Sequence, residues 1–221
     1  MNKRGIIVSG GLIEDAFALQ TIRDICPDCL IGVDGGLNFL YRSQVIPTHI
    51  VGDFDSVEPS VIAYYREHTE IPIQTFKPEK DATDTELAVR LAIELGVTKL
   101  WILGATGTRL DHVMSNIQIL KIAVDHGIEA YILDKCNRIS LWKKEVRLVK
   151  EQSFGTYFSL FPFDGVVDDV SIEGAKYPLS HYRLSNDESR CVSNEMKEQE
   201  VKITFPKGII ILMETRDSVK R

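Results

Sequence analysis

The sequence predicts an α/β N-terminal domain with a mostly parallel sheet flanked by helices, followed by a smaller all-β, sandwich-like C-terminal domain. Three observations predict this architecture. Short apolar runs alternate with helical periods through the first part of the chain, the order that yields a parallel sheet with crossover helices. Four of those runs end in Gly, Asp or both. Past residue 135 helical periods give way to short alternating stretches separated by turn signals. The expected domains are therefore 1–134 and 135–221.

In chain order, residues 6–8 (Ile-Ile-Val) form a first strand that runs into Ser9-Gly10-Gly11. Leu12, Ala16, Leu19, Ile22 and Ile25 recur at helical spacing, and Cys26-Pro27 stops that helix. A second strand over 30–33 meets Asp34-Gly35-Gly36, and a helix over about 37–43 follows. The third strand, 48–51, delivers Gly52-Asp53-Phe54-Asp55-Ser56. Pro59 opens a helix to about residue 68, since Pro is tolerated in a first turn. A short strand over 71–76 precedes the charged loop Lys77-Pro78-Glu79-Lys80. Leu87, Leu91 and Leu95 mark a helix over 85–95, with Gly96 as its C-terminal stop. The strand 99–103 ends in a long loop, 104–112, and a helix to about residue 125 leads to a last strand over 128–133.

Beyond residue 135, aromatics alternate with small residues over 154–163. Val201–Phe205 and Ile209–Met213, separated by Pro206-Lys207-Gly208, read as a hairpin.

Composition excludes several classes. The chain has 221 residues and a formal net charge of -6, which argues against a broad nucleic-acid surface. No apolar stretch approaches a membrane span, and the apolar run after Met1 is too short for a signal peptide, so the expected location is cytoplasmic. Cys26 and Cys29 have zinc-pair or redox spacing, but no second such pair completes a four-ligand site, and reduced thiols are the expectation.

In open parallel sheets, ligands bind beyond the carboxyl ends of the strands. The loops 9–11, 34–36, 52–55 and 104–111 all belong to that edge. Asp53 and Asp55, with Asp81 and Asp84 at the start of the next helix, offer hard oxygen ligands suited to Mg2+ and to the phosphates it accompanies. Thr83 with Glu86 three residues on also reads as a capping box, which alone would explain Asp84. Glycines at 104 and 107 let backbone N–H groups approach an anion, and Arg109 can grip phosphate oxygens in a fork. Asp111 can bind a metal, orient a nucleophile or cap its helix, and His112 reads as structural. No GxxxxGK[ST] or GxGxxG motif is present.

Taken together and in order, Val33-Asp34-Gly35-Gly36-Leu37-Asn38, Gly52-Asp53-Phe54-Asp55-Ser56, Asp81-Ala82-Thr83-Asp84, residues 104–112 and Ser193-Asn194-Glu195 resemble the thiamine pyrophosphokinases. The resemblance spans nearly the whole chain. It implies a catalytic α/β domain that binds ATP and a β-sandwich that helps bind thiamine. It also implies a homodimer whose active sites are shared between subunits, and transfer of a pyrophosphoryl group from MgATP to thiamine. Carried over by motif, Asp53, Asp55 and Asp84 are the magnesium set, and Asp111 is a catalytic or thiamine-orienting carboxylate. Ser9, Gly10, Asp34, Gly35, Gly36, Gly104, Thr106, Gly107 and Arg109 fall to ATP; Ser193 and Asn194 join Asp111 in the thiamine pocket. One local departure is Cys191, where the family pattern leads one to expect glycine. Other readings of the same residues are a pyrophosphokinase for another alcohol such as a pterin, a haloacid-dehalogenase-like phosphatase with Asp53 as nucleophile, and a nucleotide-binding regulator without turnover.

Overall fold

The computed structural model describes residues 2–75 and 82–218. Phe76, the predicted loop 77–80 and Asp81 lie outside the described residues. The chain divides into two compact units, Met1–Lys135 and Cys136–Arg221.

The first unit alternates strands and helices throughout: β1 (Arg4–Val8), α1 (Asp15–Ile25), β2 (Cys29–Val33), α2 (Gly36–Arg42), β3 (His49–Gly52) and α3 (Pro59–His68). It continues with β4 (Ile73–Thr75), α4 (Asp84–Glu94), β5 (Lys99–Leu103), α5 (Leu110–Asp125) and β6 (Glu129–Leu133). The strands lie in the order β6-β5-β1-β2-β3-β4, with every pairing parallel. The central strands read as continuous apolar runs because they are covered on both faces: β2 is buried along its length, and Ile6, Ile7 and Val8 of β1 are fully buried. α4 packs against β1, β2 and β3 and also against α5, burying Ala88, Val89, Leu91 and Ala92.

Local chemistry sets the helix ends. Thr83 Oγ1 accepts from Glu86 N–H at 3.2 Å and caps α4. Glu86 turns its carboxylate to Arg90 instead of closing a reciprocal box. α1 corrects the predicted apolar face. Its cap is Glu14, it buries Ala18 and Thr21, and Leu12 and Ala16 are exposed. Ala16, Leu19, Ile22 and Ile25 do lie in α1, whereas Leu12 matches the helical spacing by coincidence, because it belongs to the loop that precedes the helix.

The second unit contains two antiparallel sheets. One comprises β7 (Asn137–Trp142), β14 (Ile210–Thr215), β9 (Tyr157–Pro162) and β12 (Asn194–Glu195). The other comprises β8 (Val146–Val149), β13 (Glu200–Thr204), β10 (Val166–Glu173) and β11 (Leu179–Ser185). Leu160, Ile210 and Leu212 from the first sheet join Val170, Val201 and Ile203 from the second in a single core, which makes a sandwich. The predicted hairpin is corrected: β13 bonds to β8 and β10, whereas β14 bonds to β7 and β9. The turn at 206–208 carries the chain from one sheet to the other, so alternating residues of both strands reach the same core. Cys191 is buried in that core and its carbonyl accepts from Leu160 N–H at 3.0 Å. Among the described residues no helix is long and apolar enough to cross a membrane.

Candidate active site

The first unit builds its cleft where the strand order reverses, between β1 and β5, the position at which open parallel sheets bind ligands. The loops leaving those strands are laced by backbone bonds of 2.8 Å: Ser9 N to Leu103 O, Gly11 N to Gly104 O, and Leu12 N to Thr106 O. Gly104 adopts φ +66, and a Cβ there would run into the Ser9 carbonyl, so no other residue fits. Asn116 on α5 is buried and donates to Ala105 O at 2.8 Å, while Thr106 Oγ1 donates to Asp134 Oδ2 at 2.8 Å. The hydroxyls of Ser9 and Thr85 meet at 2.9 Å and tie the β1 loop to the first turn of α4. The cleft enclosed by these loops has a volume of about 670 Å³.

Among the described residues, three carboxylates converge in it. Asp34 follows β2, Asp53 follows β3, and Asp84 is the first residue of α4. Oxygens of the three lie within 4.8 Å of one another. Phe54 N–H donates to Asp34 Oδ1 at 3.2 Å, and Asp55 N–H donates to Asp53 Oδ1 at 3.2 Å. Gly52 makes room: at φ +155, a Cβ on it would collide with Asp34 Oδ1. Burial, then the negative charge of Asp84, push the Asp34 carboxyl up to about 7, against the opposing Phe54 N–H bond. A donor set of three clustered carboxylates fits a hard divalent cation, which would relieve that repulsion.

Of the predicted residues, Ser9, Gly10, Asp34, Asp53, Asp55, Asp84, Gly104, Thr106, Gly107 and Arg109 line the cleft. Asp55 lines it without joining the carboxylate group, whose third member is Asp34. Gly35 and Gly36 sit behind the wall, where Gly36 packs against the Val8 carbonyl. Arg109 and Asp111 form an exposed fork at the start of α5, with Nη2 to Oδ2 at 2.7 Å and Nε to Oδ1 at 3.3 Å. Arg109, then the His112 backbone N–H, hold the Asp111 carboxyl down at about 2. Sequence reasoning missed Thr85, Asn116 and Asp134, because a hydrogen bond between distant segments leaves no local signature.

In the second unit, Asn194 is buried and fully engaged. Its Oδ1 accepts from Tyr177 N–H at 3.1 Å and from Glu195 N–H at 2.9 Å, and its Nδ2 donates to Tyr177 O at 2.8 Å. Ser193 adopts φ 57, and its N–H donates to Ser159 Oγ at 3.0 Å. The bonds from Asn194 fix the backbone of Tyr177, an exposed residue. The Lys176 ammonium pairs with Glu195 and lies 5.5 Å from the centre of that ring.

Comparison with known proteins bears on both units. Residues 26–132 match the family model "Thiamin pyrophosphokinase, catalytic domain", and residues 143–210 match "Thiamin pyrophosphokinase, vitamin B1 binding domain". A thiamine pyrophosphokinase of Bacillus subtilis is 32% identical over 187 residues, covering 85% of this chain and 87% of its own. The crystal structure of thiamine pyrophosphokinase from Bacillus subtilis superposes with a TM-score of 0.87 at 30% identity, covering 98% of this chain and 100% of that one. That of the Geobacillus thermodenitrificans protein gives 0.83 at 28% identity, covering 98% and 99%. The chain belongs to the thiamine pyrophosphokinase family of ATP-dependent pyrophosphotransferases.

Proposed function

We propose that this chain transfers the pyrophosphoryl group of ATP to the primary hydroxyl of thiamine, with Asp34, Asp53 and Asp84 holding Mg2+. The observation that carries the reading is the convergence of those three carboxylates in one cleft with the glycine-rich loops at 9–11 and 104–107. Thiamine's hydroxyl oxygen attacks the β-phosphorus of ATP, the bond from that phosphorus to the α-phosphate bridging oxygen breaks, and AMP leaves. The hydroxyl proton passes to solvent or to a base. When bound, Mg2+ neutralises charge on the phosphate oxygens.

The protein's own contribution is placement and charge. The loops at 9–11 and 104–107 give the polyphosphate a close approach to backbone. Arg109, exposed on the cleft wall, exchanges Asp111 for a phosphate oxygen. Asp111, ionised throughout the working range, then faces the cationic thiazolium. Asp55 serves at the rim of the cleft rather than in the first set of ligands. In the second unit, Tyr177 offers an aromatic face for a cationic ring, Asn194 sets that face through the Tyr177 backbone, and Ser193 adjoins Asn194 in sequence. The working form is a cytoplasmic homodimer in which each subunit contributes to the partner's thiamine pocket. The family matches over both units give no support to the phosphatase or pterin alternatives.

The test is thiamine-dependent formation of thiamine diphosphate by the wild type and by Asp53→Ala, with and without EDTA. Product formation that EDTA abolishes and that falls by at least about 100-fold in folded Asp53→Ala supports the reading. Near-normal turnover in that variant, or turnover indifferent to EDTA, overturns the metal assignment.

A further inference from the structure

Asp34 and Asp53 stand on different loops, so their mutual distance depends on how the segment 53–58 is held against the start of α2. Two contacts are close to the carboxylates: Phe54 N–H donates to Asp34 Oδ1 at 3.2 Å, and Gly35 N–H donates to Ser56 Oγ at 3.1 Å. At the far end of the segment one side chain makes two hydrogen bonds to the backbone. Asn38, two residues into α2, donates from Nδ2 to Ser56 O at 3.3 Å and accepts Glu58 N–H on Oδ1 at 3.1 Å. The Glu58 N–H can meet only an oxygen, which fixes the orientation of the amide. Asn38 thus bridges two backbone groups of opposite polarity, which neither an aspartate nor an aliphatic residue can do. It does not line the cleft itself.

The segment needs such a clasp. Phe54 adopts φ 66 and Asp34 φ 40, left-handed conformations that a side chain other than glycine resists. Ser56 and Glu58 are exposed, so water competes for their backbone groups.

We infer that Asn38 is a positioning residue for the metal site: by clasping Ser56 and Glu58 it sets the separation of Asp34 and Asp53, and so the affinity for the divalent cation. The inference rests on the function proposed above. Groups that orient metal ligands without touching the metal commonly change affinity by about 10-fold to 100-fold when removed.

The test titrates Mn2+ as a paramagnetic stand-in for Mg2+, followed by electron paramagnetic resonance. The protein is saturated with α,β-methylene-ATP, in which the bond to be broken is replaced, so turnover plays no part. Asn38→Ala is expected to weaken Mn2+ binding by about 10-fold or more with the circular dichroism spectrum unchanged. Asn38→Asp, which keeps the acceptor for Glu58 N–H and loses the donor to Ser56 O, is expected to fall between. In turnover, both variants should require more Mg2+ for half-maximal rate, and excess Mg2+ should restore most of kcat. If Asn38→Ala does not fold, Asn38→Asp is read by the same criterion. Mn2+ affinity within twofold of wild type in a folded variant overturns the inference alone. Failure of the wild type to bind Mn2+ overturns the metal reading and the inference together.

Discussion

Arg109 and Asp111 neutralise one another across a single turn at the start of α5, through a two-point contact with its shorter arm at 2.7 Å. The pair is exposed, 70% and 65% for the two side chains, so it contributes little to folding. Arg109 lines the cleft, and whatever anion takes Arg109 leaves Asp111 without its counter-charge. Arg109→Ala is expected to raise KM for ATP by about 10-fold or more while leaving the melting temperature within a degree or two of wild type. Arg109→Lys should recover only part of the loss, because an ammonium lacks the fork. Steady-state kinetics beside a thermal melt checks both; an unchanged KM for ATP in Arg109→Ala contradicts the assignment.

Asp111 also makes a statement about pH. Its carboxyl is held at about 2, below the ordinary 3.8, so it is ionised at neutral and mildly acidic pH. Asp111→Asn is expected to lower kcat/KM for thiamine without removing the acidic limb of the pH–rate profile. Loss of that limb in Asp111→Asn would assign the titration to Asp111 and contradict the expectation.

Asp34 predicts the opposite behaviour in the metal-free protein. Its carboxyl is raised to about 7 from 3.8, so the fold binds the proton more tightly than the unfolded chain does. That group therefore costs nothing below about pH 4, and its ionisation penalty grows until pH passes about 7. A divalent cation removes the penalty. The increase in melting temperature on adding Mg2+ is expected to be larger at pH 8 than at pH 5, and Asp34→Asn should stabilise the metal-free protein at pH 8. Thermal melts at the two pH values decide it, and an equal or larger Mg2+ increment at pH 5 contradicts the prediction.

The sequence carried the α/β order and the four glycine and aspartate loops plainly, because strand ends and turns have local chemical requirements. It did not carry Asp34 as a member of the carboxylate group. Asp34 and Asp53 are 19 positions apart in sequence (53 − 34) and meet only because β2 pairs with β3. Nor did it carry the destinations of β13 and β14, since alternation of apolar residues looks the same whether two strands pair or face each other across a core. Leu12 misled for a related reason: helical spacing over one turn does not distinguish a helix from the loop before it.

Replacing Gly52 is expected to disturb the carboxylate group directly. Gly52→Ala forces a Cβ onto Asp34 Oδ1 and strains the backbone at φ +155. A stability loss of about 1–3 kcal/mol in urea unfolding is expected, with Mn2+ binding weakened beyond detection. Wild-type Mn2+ affinity in Gly52→Ala would show that the close approach of Gly52 to Asp34 is not needed.

Asn194→Ala tests the second unit. It leaves the backbone N–H and C=O of Tyr177 and the N–H of Glu195 without their partner. A loss of about 2–4 kcal/mol is expected on this count, with KM for thiamine raised and KM for ATP unchanged. Chemical unfolding and the two KM values check it; an equal rise in both KM values would contradict a role confined to thiamine.

The measurement that bears most directly on the central claim is the nucleotide product. Purified protein is incubated with ATP and Mg2+, with and without thiamine, and AMP, ADP and thiamine diphosphate are quantified. Pyrophosphoryl transfer predicts AMP and thiamine diphosphate in equal amounts, both dependent on thiamine. ADP as the thiamine-dependent product, or AMP formed without thiamine diphosphate, would contradict it.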